Sequence, residues 1–464
     1  MNLTKVVGAS LIGLMGMCSL NSRADSGPFS IVYPTGVYPD DVTRVQAALD
    51  RGGTVILKAV TAAGVPSPFN FGTGLAVGQS SGVFLNKDVI LVGEHAGSHR
   101  STILGGFLPI LGLLPTKSTI RGIDFESPIW TAITIGASTG SVITDNVFRN
   151  VVPVRVRVPS GAIITFAQAI GFSGYDNSGP APGLITGHVL VARNTIDGAR
   201  AIFSNGIQFD SFSADAEIAD NDISNVNDDT TETGSGIVII RAEGRVDIIG
   251  NVIAPGPTQN FGADGIFIDG NQGARYEVIG NTIRCVAPYA DGIDIVGGDA
   301  TTTTGTVDAK VIANSVSVNG VFAFGIFLWD LVTETKITAN SIQGAGTFAL
   351  GISTYGFETN TASLNSFIGN GLRNFVSNQA DLYYDVNTQN NKEVGFCRSV
   401  IDLGSGNSST CGARGASTSA NGAAAPLAAG GTTISASSQS LATKQQRLQQ
   451  LQARERIAAE QVLR

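Results

Sequence analysis

Two short stretches of the sequence place acidic residues in the same relation to a Gly-Ile pair. FGADGIFIDGN (261–271) contains Asp264 and Asp269, and YADGIDIVGG (289–298) contains Asp291 and Asp294. If the two glycines are equivalent positions on neighbouring parallel strands, Asp264 and Asp291 lie about 4.8 Å apart. Two carboxylates at that distance raise each other's pKa, so one site can hold both an acid and a base.

Such carboxylates can support two kinds of chemistry. Hydrolysis of a glycosidic bond uses a pair of them, at a separation that depends on the stereochemistry. The same oxygens, together with backbone carbonyls, can chelate Ca²⁺ and orient an anionic sugar. Asp264, Asp291 and Asp294 are therefore the catalytic candidates, and calcium is the candidate cofactor. The alternative is ordinary turn chemistry, because the row of Asp264 also contains Ser235 and apolar residues.

Five further residues are candidates for binding. Asn205 belongs to the same row as the acid pair, and Asp210 and Asp269 follow later in their repeats. Like Asp294, these two aspartates have a simpler interpretation as solvated outward positions. The segment VVPVRVRVPSGAIITF (151–166) supplies Arg155 and Arg157, which could meet an acidic glycan. A strand that merely exposes alternate arginines would have the same sequence.

Two short phrases recur along the chain and keep phase with each other. The first is Asn followed at the second place by Ile, Val or Phe; its asparagines are Asn146, Asn194, Asn221, Asn251, Asn281, Asn314, Asn340 and Asn365. The second is Gly-Ile, at Gly206, Gly236, Gly265, Gly292, Gly325 and Gly351. Periods of about 25 to 30 residues are typical of solenoids, in which each unit buries its core only against its neighbours.

The segments between these markers have the period of two that is typical of strands. Successive residues of GIFI and GIDI point to opposite faces, and VDIIGN and YEVIGN alternate in the same way. Gly and β-branched residues are too frequent for helical repeats. Asn suits a corner because it tolerates left-handed backbone, and stacked asparagines can bond to each other from coil to coil. The sequence therefore predicts an all-β chain, a parallel β-helix over residues 25–404.

Both ends of the predicted solenoid differ from its repeats. At the front, YPDDVTRVQAALDRGGTVILK predicts a short capping helix, with Asp40 or Asp41 as its N-cap and Gly52-Gly53 at its end. Residues 405–440 are rich in Gly, Ser, Thr and Ala and predict a low-complexity linker. Residues 441–464 predict a polar helix, which is either a solvated tail or a means of oligomerisation.

The N-terminal residues 1–24 have the parts of a secretory signal: Lys5, an apolar run over residues 6–20 and a small-x-small site that ends at Ala24. That run is too short for a membrane span, and no later segment could form one, so we expect an exported protein that is secreted, periplasmic or on the cell surface. A net charge of -8 with no cluster of Lys and Arg excludes nucleic acid as a partner. Cys397 and Cys411 could pair in an oxidising compartment.

The chain resembles the pectin lyase-like superfamily of right-handed parallel β-helix proteins, of the secreted bacterial type. The resemblance runs from VQAALDRGGTVIL through KDVILVGE and TIRGIDF to the Asn and Gly-Ile phrases, and it covers residues 30–404. It implies the fold, and it implies polysaccharide as the partner, because most characterised enzymes of the superfamily act on acidic or plant-type polysaccharides. YADGID (289–294) is also similar to the second half of a polygalacturonase motif, which would make Asp291 a catalytic carboxylate. The next coil, VFAFGIFLW, lacks the expected Asp-Asp pair, and no histidine follows His188.

Two insertions indicate where a ligand would bind. Gly171 and Asn194 are 23 residues apart and Gly292 and Asn314 are 22 apart, whereas the usual spacing is 15. Both loops should leave the same side of the solenoid, four coils or about 19 Å apart, and wall a groove for several sugar units. Two functions follow. The chain is an exported β-helix that binds and processes polysaccharide, as a hydrolase or lyase, or it is a non-catalytic structural or adhesive β-helix.

Overall fold

The chain folds as a right-handed parallel β-helix, as the sequence predicts. A computed structural model describes residues 28–410, apart from residues 76–80, 158–162, 177–178, 200, 202, 227–233, 258–261, 271–273, 298–307, 347, 357–361, 374–379 and 396. In each regular coil the chain passes once through each of three parallel sheets. The predicted signal segment, most of the linker and the C-terminal helix lie outside the described residues, so they stay predictions.

The three sheets run the length of the rod, and their strands are counted over the described residues. The first sheet has 13 strands: Phe29–Val32, Gly53–Leu57, Val89–Gly93, Thr116–Arg121, Ser138–Thr144, His188–Ala192, Asp215–Ala219, Arg245–Ile249, Arg275–Ile279, Asp308–Ile312, Lys336–Thr338, Ser366–Ile368 and Lys392–Val394. The second has 11: Phe69–Asn70, Thr102–Leu104, Asp124–Glu126, Val147–Val151, Thr195–Ala199, Asp222–Ser224, Val252–Pro257, Thr282–Val286, Ser315–Asn319, Ser341–Ala345 and Gly371–Arg373.

The third sheet also has 13 strands. Twelve of them are parallel: Val83–Phe84, Ile110–Gly112, Thr131–Ile135, Ile163–Ser173, Phe203–Phe212, Gly234–Ala242, Gly262–Asp269, Tyr289–Val296, Phe322–Trp329, Phe348–Tyr355, Leu382–Tyr384 and Val400–Asp402. The thirteenth, Val154–Arg157, pairs antiparallel with Ile163–Ser173. Three small two-stranded sheets stand apart: His95–Ala96 with His99–Arg100, Tyr175–Asp176 with Gly179–Pro180, and Ala362–Ser363 with Thr388–Gln389. A 3-10 turn spans Pro182–Leu184.

An α-helix, Asp40–Leu49, lies near the front of the rod, where the sequence places a helix. Its buried apolar residues Val45, Ala48 and Leu49 join the interior core. The prediction that Asp40 or Asp41 caps this helix is wrong, because its N-cap residue is Pro39 and that residue makes no side-chain capping hydrogen bond.

The side chain of Asp41 turns away from the helix and orders the loop before it. It accepts hydrogen bonds from the backbone N–H groups of Thr35 at 2.7 Å, Gly36 at 3.0 Å and Asn70 at 2.8 Å. Three backbone donors together satisfy a buried carboxylate better than one exposed helix end would. Asp41 therefore joins the loop before the helix to the first strand of the second sheet.

The Gly-Ile pairs stack in register, as predicted. Ile207, Ile237, Ile266, Ile293, Ile326 and Ile352 are aligned partners on successive strands of the third sheet, and all are buried in the core. The glycine before each isoleucine is required by space rather than by backbone angle. A Cβ atom on Gly265 would lie 2.2 Å from Cγ2 of Ile283 and 2.5 Å from the carbonyl oxygen of Gly292. Any side chain there would push neighbouring coils apart.

The corner asparagines form the predicted ladder of amides. From Asn146 to Asn340, Nδ2 of each donates to Oδ1 of the next at 2.9–3.1 Å. The predicted reason for Asn, its tolerance of left-handed backbone, is wrong. The left-handed φ belongs to the residue just before it, as in Asp145 (59°) and Ala313 (55°). Asn is therefore required for its hydrogen bonds, because a buried corner must satisfy its backbone groups.

Asn365 is not the eighth step of this ladder. Asn340 donates to Asn370 at 2.9 Å, and Asn365 belongs to a second ladder that continues to Asn391 and Asn407. Asn365 precedes a strand of the first sheet, whereas Asn340 precedes a strand of the second. The same phrase can occur at either corner because both corners need a buried amide. The second ladder also carries hydrogen bonding past residue 404, the predicted end of the solenoid.

Candidate functional site

The third sheet has two buried faces along its middle strands. On three successive strands, Ile239, Ile268 and Ile295 point into the interior core. The residues next to them along each strand point to the opposite, outward side of the sheet. We call this outward side of strands Phe203–Phe212 to Phe348–Tyr355 the outer face. Its apolar residues form a second cluster, separate from the interior core, that includes Val238, Ile240, Phe267, Val296, Phe324, Phe327, Trp329, Leu350 and Tyr355.

The acid cluster, which we define as Asp264, Asp291 and Asp294, lies on this outer face. Asp264 on strand Gly262–Asp269 is the aligned partner of Asp291 on strand Tyr289–Val296, as the repeat predicts. One carboxylate oxygen from each of the three residues lies within 4.8 Å of the others. The side chains are buried, with 1 %, 2 % and 1 % of their surfaces exposed, respectively. The register of the glycines therefore brings three carboxylates to one enclosed place.

The surroundings of the acid cluster are apolar on one side. Beyond Asp291 the aligned residue is Phe324, and beyond Asp294 it is Phe327. The indole Nε1 of Trp329 donates a hydrogen bond of 2.9 Å to Oδ1 of Asp294. On the inner side of the wall, burial and then the charges of Asp264 and Asp291 raise the pKa of the Cys285 thiol well above its ordinary value. The negative charge of the cluster thus acts in a low-dielectric environment.

Asp210 and Asp269 are also buried, so the interpretation of Asp210, Asp269 and Asp294 as solvated outward positions is wrong. Asp210 forms an ion pair with Arg241, whose Nε lies 2.8 Å from Oδ1. The Tyr175 hydroxyl donates to Oδ2 of Asp210 at 3.1 Å and also contacts Arg241. Burial raises the pKa of Asp210, and Arg241 opposes that shift. Asp210 therefore fixes the first insertion, which contains Tyr175, to the third sheet.

The sequence did not predict the contact of Tyr175 with Asp210 and Arg241, because Tyr175 lies in an insertion that does not follow the repeat. Asn205 lies in the row of Asp264, two strands before it, as the repeat predicts. Asn205 is buried and donates to Oε1 of Gln208 at 2.6 Å. Arg155 is exposed on strand Val154–Arg157; that strand also contains Arg157, whose side chain is outside the described part.

The two insertions leave the third sheet four strands apart, as predicted. The first follows strand Ile163–Ser173 and forms the small sheet of Tyr175–Asp176 and Gly179–Pro180. The second follows strand Tyr289–Val296, and residues 298–307 of it lie outside the described residues. The first insertion is thus placed, and the groove that the two insertions would wall stays a prediction.

The donor set of the acid cluster fits a hard divalent cation. Carboxylate oxygens are hard ligands, and one from each of the three aspartates comes within 4.8 Å of the others. Ca²⁺ prefers carboxylate oxygens and accepts six to eight oxygen ligands, so three aspartates would leave positions for other oxygens. The geometry is compatible with calcium as the cofactor.

Comparisons with known proteins give two distant structural likenesses. The chain matches no protein-family model and no curated protein. Among solved structures, it is similar to the A-module of mannuronan C-5 epimerase AlgE6 of Azotobacter vinelandii, with 14 % identity over 81 % of this chain and 96 % of that one and a TM-score of 0.46. The AlgE4 A-module of the same organism gives 11 % identity over 84 % and 99 %, with a TM-score of 0.32. The assignment of the fold as a parallel β-helix rests on the strand pairing of this chain.

Two further observations bear on the expected location of this β-helix protein. No helix among the described residues is long and apolar enough to cross a bilayer. Cys397 is disulfide-bonded; its predicted partner, Cys411, lies outside the described residues. Disulfides form and persist in oxidising compartments, which is compatible with the predicted export.

Proposed function

We propose that this chain is an exported β-helix protein that binds acidic polysaccharide along its outer face, with calcium held by Asp264, Asp291 and Asp294. The observation that carries the proposal is the convergence of three buried carboxylates within 4.8 Å. Such a cluster repels an anionic glycan unless its charge is offset. A bound Ca²⁺ supplies that offset.

The residues around the acid cluster have separate roles in this proposal. Trp329 holds Asp294 through its indole N–H and so fixes one of the three carboxylates. Phe324 and Phe327 line the apolar side of the site and strengthen its electrostatics. The insertion that contains Tyr175, held by Asp210 and Arg241, forms one wall of the groove. A glycan that enters this groove lies along the rod, across several coils.

Terbium luminescence tests the cation site directly. Tb³⁺ replaces Ca²⁺ on oxygen ligands and emits when a nearby indole is excited. Trp329 bonds to Asp294, so we expect saturable emission that Ca²⁺ displaces. Asp291→Asn should weaken binding by at least about tenfold, since it removes one of three charged ligands. Trp329→Phe should lose most of the emission, while calorimetry still detects the cation.

Asp308→Asn is the matched control, because Asp308 is an exposed aspartate on the first sheet. It should bind Tb³⁺ as the unmodified protein does. An unmodified protein without saturable binding, or an Asp291→Asn variant with unchanged affinity, would contradict the cation site.

Polyuronate and neutral polysaccharides then test the ligand. We expect polyuronate to bind in the presence of calcium and to be released by a chelator, whereas neutral chains should not respond to calcium. Unsaturated products would indicate a lyase, and new reducing ends without unsaturation would indicate a hydrolase. Binding without either product would support the alternative, a non-catalytic structural or adhesive β-helix.

A further inference from the structure

A cavity lies far from the acid cluster, on the second sheet near the front of the rod. We call it the front pocket; its volume is about 350 Å³ and its walls include Pro66, Pro68, His99, Arg100, Leu104 and Glu126. One wall is the loop that follows strand Gly53–Leu57, and another is the hairpin of His95–Ala96 and His99–Arg100. A cavity of that size is large enough for one small organic molecule.

The polar groups of the front pocket are held in place by neighbouring residues. Nε of Arg100 lies 2.8 Å from Oδ1 of Asp124, and Nη2 donates to the carbonyl oxygen of Asp145 at 2.6 Å. Oε1 of Glu126 accepts from Nδ2 of Asn150 at 2.9 Å. These contacts fix the guanidinium and the carboxylate before any ligand arrives, which lowers the entropic cost of binding.

The charge of the lining selects the chemistry of the ligand. Arg100 and Arg149 both pair with Asp124, and Glu126 is the aligned neighbour of Arg149, so the two guanidinium groups and the two carboxylates balance and leave no net positive charge to hold a uronate or a phosphate. A carboxylate accepts hydrogen bonds from hydroxyl groups, and guanidinium and imidazole donate to them. Pro66, Pro68 and Leu104 offer apolar surface to the C–H face of a ring. We propose that the front pocket binds one neutral sugar residue.

This site goes beyond the proposed function, because it shares no residue with the acid cluster and needs no cation. Five strand spacings, or about 24 Å, separate the two sites along the rod, and they lie on different sheets. The front pocket would therefore bind a neutral sugar residue. That residue is either a separate ligand or part of a glycan whose acidic stretch binds to the outer face.

The three histidines of the chain make a direct assay possible. We would follow their imidazole signals by NMR during titration with methyl glycosides of neutral hexoses, with glucuronate and with inorganic phosphate. A neutral glycoside should shift the signal that His99→Gln removes, in a saturable way. Glu126→Gln keeps the shape and removes the charge, so it should weaken binding by about 10- to 100-fold.

Asp197→Asn is the control, because Asp197 is an exposed aspartate on the same sheet that does not line the pocket. It should leave the titration unchanged, and Tb³⁺ binding should be the same in every variant. Should Glu126→Gln fail to fold, Leu104→Phe, which fills the pocket, must abolish the shift. The proposal is overturned if glucuronate or phosphate binds more tightly than every neutral glycoside, if no glycoside shifts the His99 signal, or if neither variant weakens binding.

Discussion

Replacing Asn251 with alanine removes one step of the amide ladder from the middle of the rod. Nδ2 of Asn251 donates to the carbonyl oxygen of Ile218 at 2.8 Å and to Oδ1 of Asn281 at 2.9 Å. Its Oδ1 accepts from both the backbone N–H and the side-chain amide of Asn221, each at 2.9 Å. The side chain is fully buried, so water does not reach these partners in the folded protein.

The magnitude follows from the groups left behind. In Asn251→Ala, the Ile218 carbonyl loses its amide donor, and the Asn221 backbone N–H and one Asn221 amide hydrogen lose their acceptor. Each buried polar group without a partner costs about 1–3 kcal/mol, and the small cavity adds to that. Three such groups together give a fall in the free energy of unfolding of at least about 3 kcal/mol. Asn251→Leu avoids the cavity but leaves the same polar groups without partners. Most of the loss of stability should therefore remain.

Urea denaturation followed by far-ultraviolet circular dichroism measures this loss, as a lower midpoint with an unchanged slope. Amide hydrogen exchange adds a local readout, because the N–H of Asn221 should lose its protection first. Asn86→Ala is the matched control: Asn86 is exposed and donates one long hydrogen bond of 3.4 Å to Asp50, so the change should stay within about 0.5 kcal/mol. A loss of stability below about 1 kcal/mol in Asn251→Ala would refute the claim that asparagine is required at the corners for its hydrogen bonds.

Other changes test the register and the buried phenols. Gly292→Ala places a Cβ 2.2 Å from Cγ1 of Val316. This variant should lower the free energy of unfolding by about 1–3 kcal/mol and weaken cation binding at the acid cluster. Gly183→Ala is the control, because no atom lies within 4 Å of the added Cβ, and it should leave stability unchanged. Burial raises the pKa of five tyrosines: Tyr175, Tyr276, Tyr355, Tyr383 and Tyr384. The folded state keeps these protons more tightly than the unfolded state does, so stability should be constant below the ordinary tyrosine pKa and fall as pH rises through it. Tyrosinate absorbance should then appear together with unfolding, and ionisation of all eight tyrosines in a folded protein would contradict the assignment.

The fold could be predicted from the sequence because its repeat is enforced at every coil. Each Gly-Ile pair must fit against the next glycine, and each corner needs an amide, so both markers recur in the sequence with the period of the coil. The alignment of Asp264 with Asp291 followed from that period alone. Long-range contacts become periodic in a solenoid, which makes them readable in sequence.

The corrections arose where a residue type has more than one use. Asp41 could have capped a helix, but three backbone donors in a loop bind it instead. Asn365 has the sequence context of one corner and the location of the other. The outward aspartates looked solvated because alternation gives the side of a strand and not what covers that side.

The candidate site was predicted only in part, for a related reason. Asp294 joins Asp264 and Asp291 because Ala290 and Ile293, three residues apart, both lie in the interior core, so Asp291 and Asp294, also three apart, share the outer face. A simple period of two does not contain that shift. The ion pair of Asp210 with Arg241 and its contact with Tyr175 combine a regular strand with an insertion, and insertions carry no period from which a contact can be inferred.

The amide ladder gives the rod a direction. From Asn146 to Asn340, each amide-to-amide hydrogen bond runs from Nδ2 on one coil to Oδ1 on the coil ahead, and no amide-to-amide bond of this ladder runs the other way among the described steps. Amides aligned head to tail polarise one another, so each step is stronger for having the others in line. The two ends of the ladder are therefore chemically unlike: Asn146 begins it as a donor to the coil ahead, and Asn370 ends it among the described steps as an acceptor.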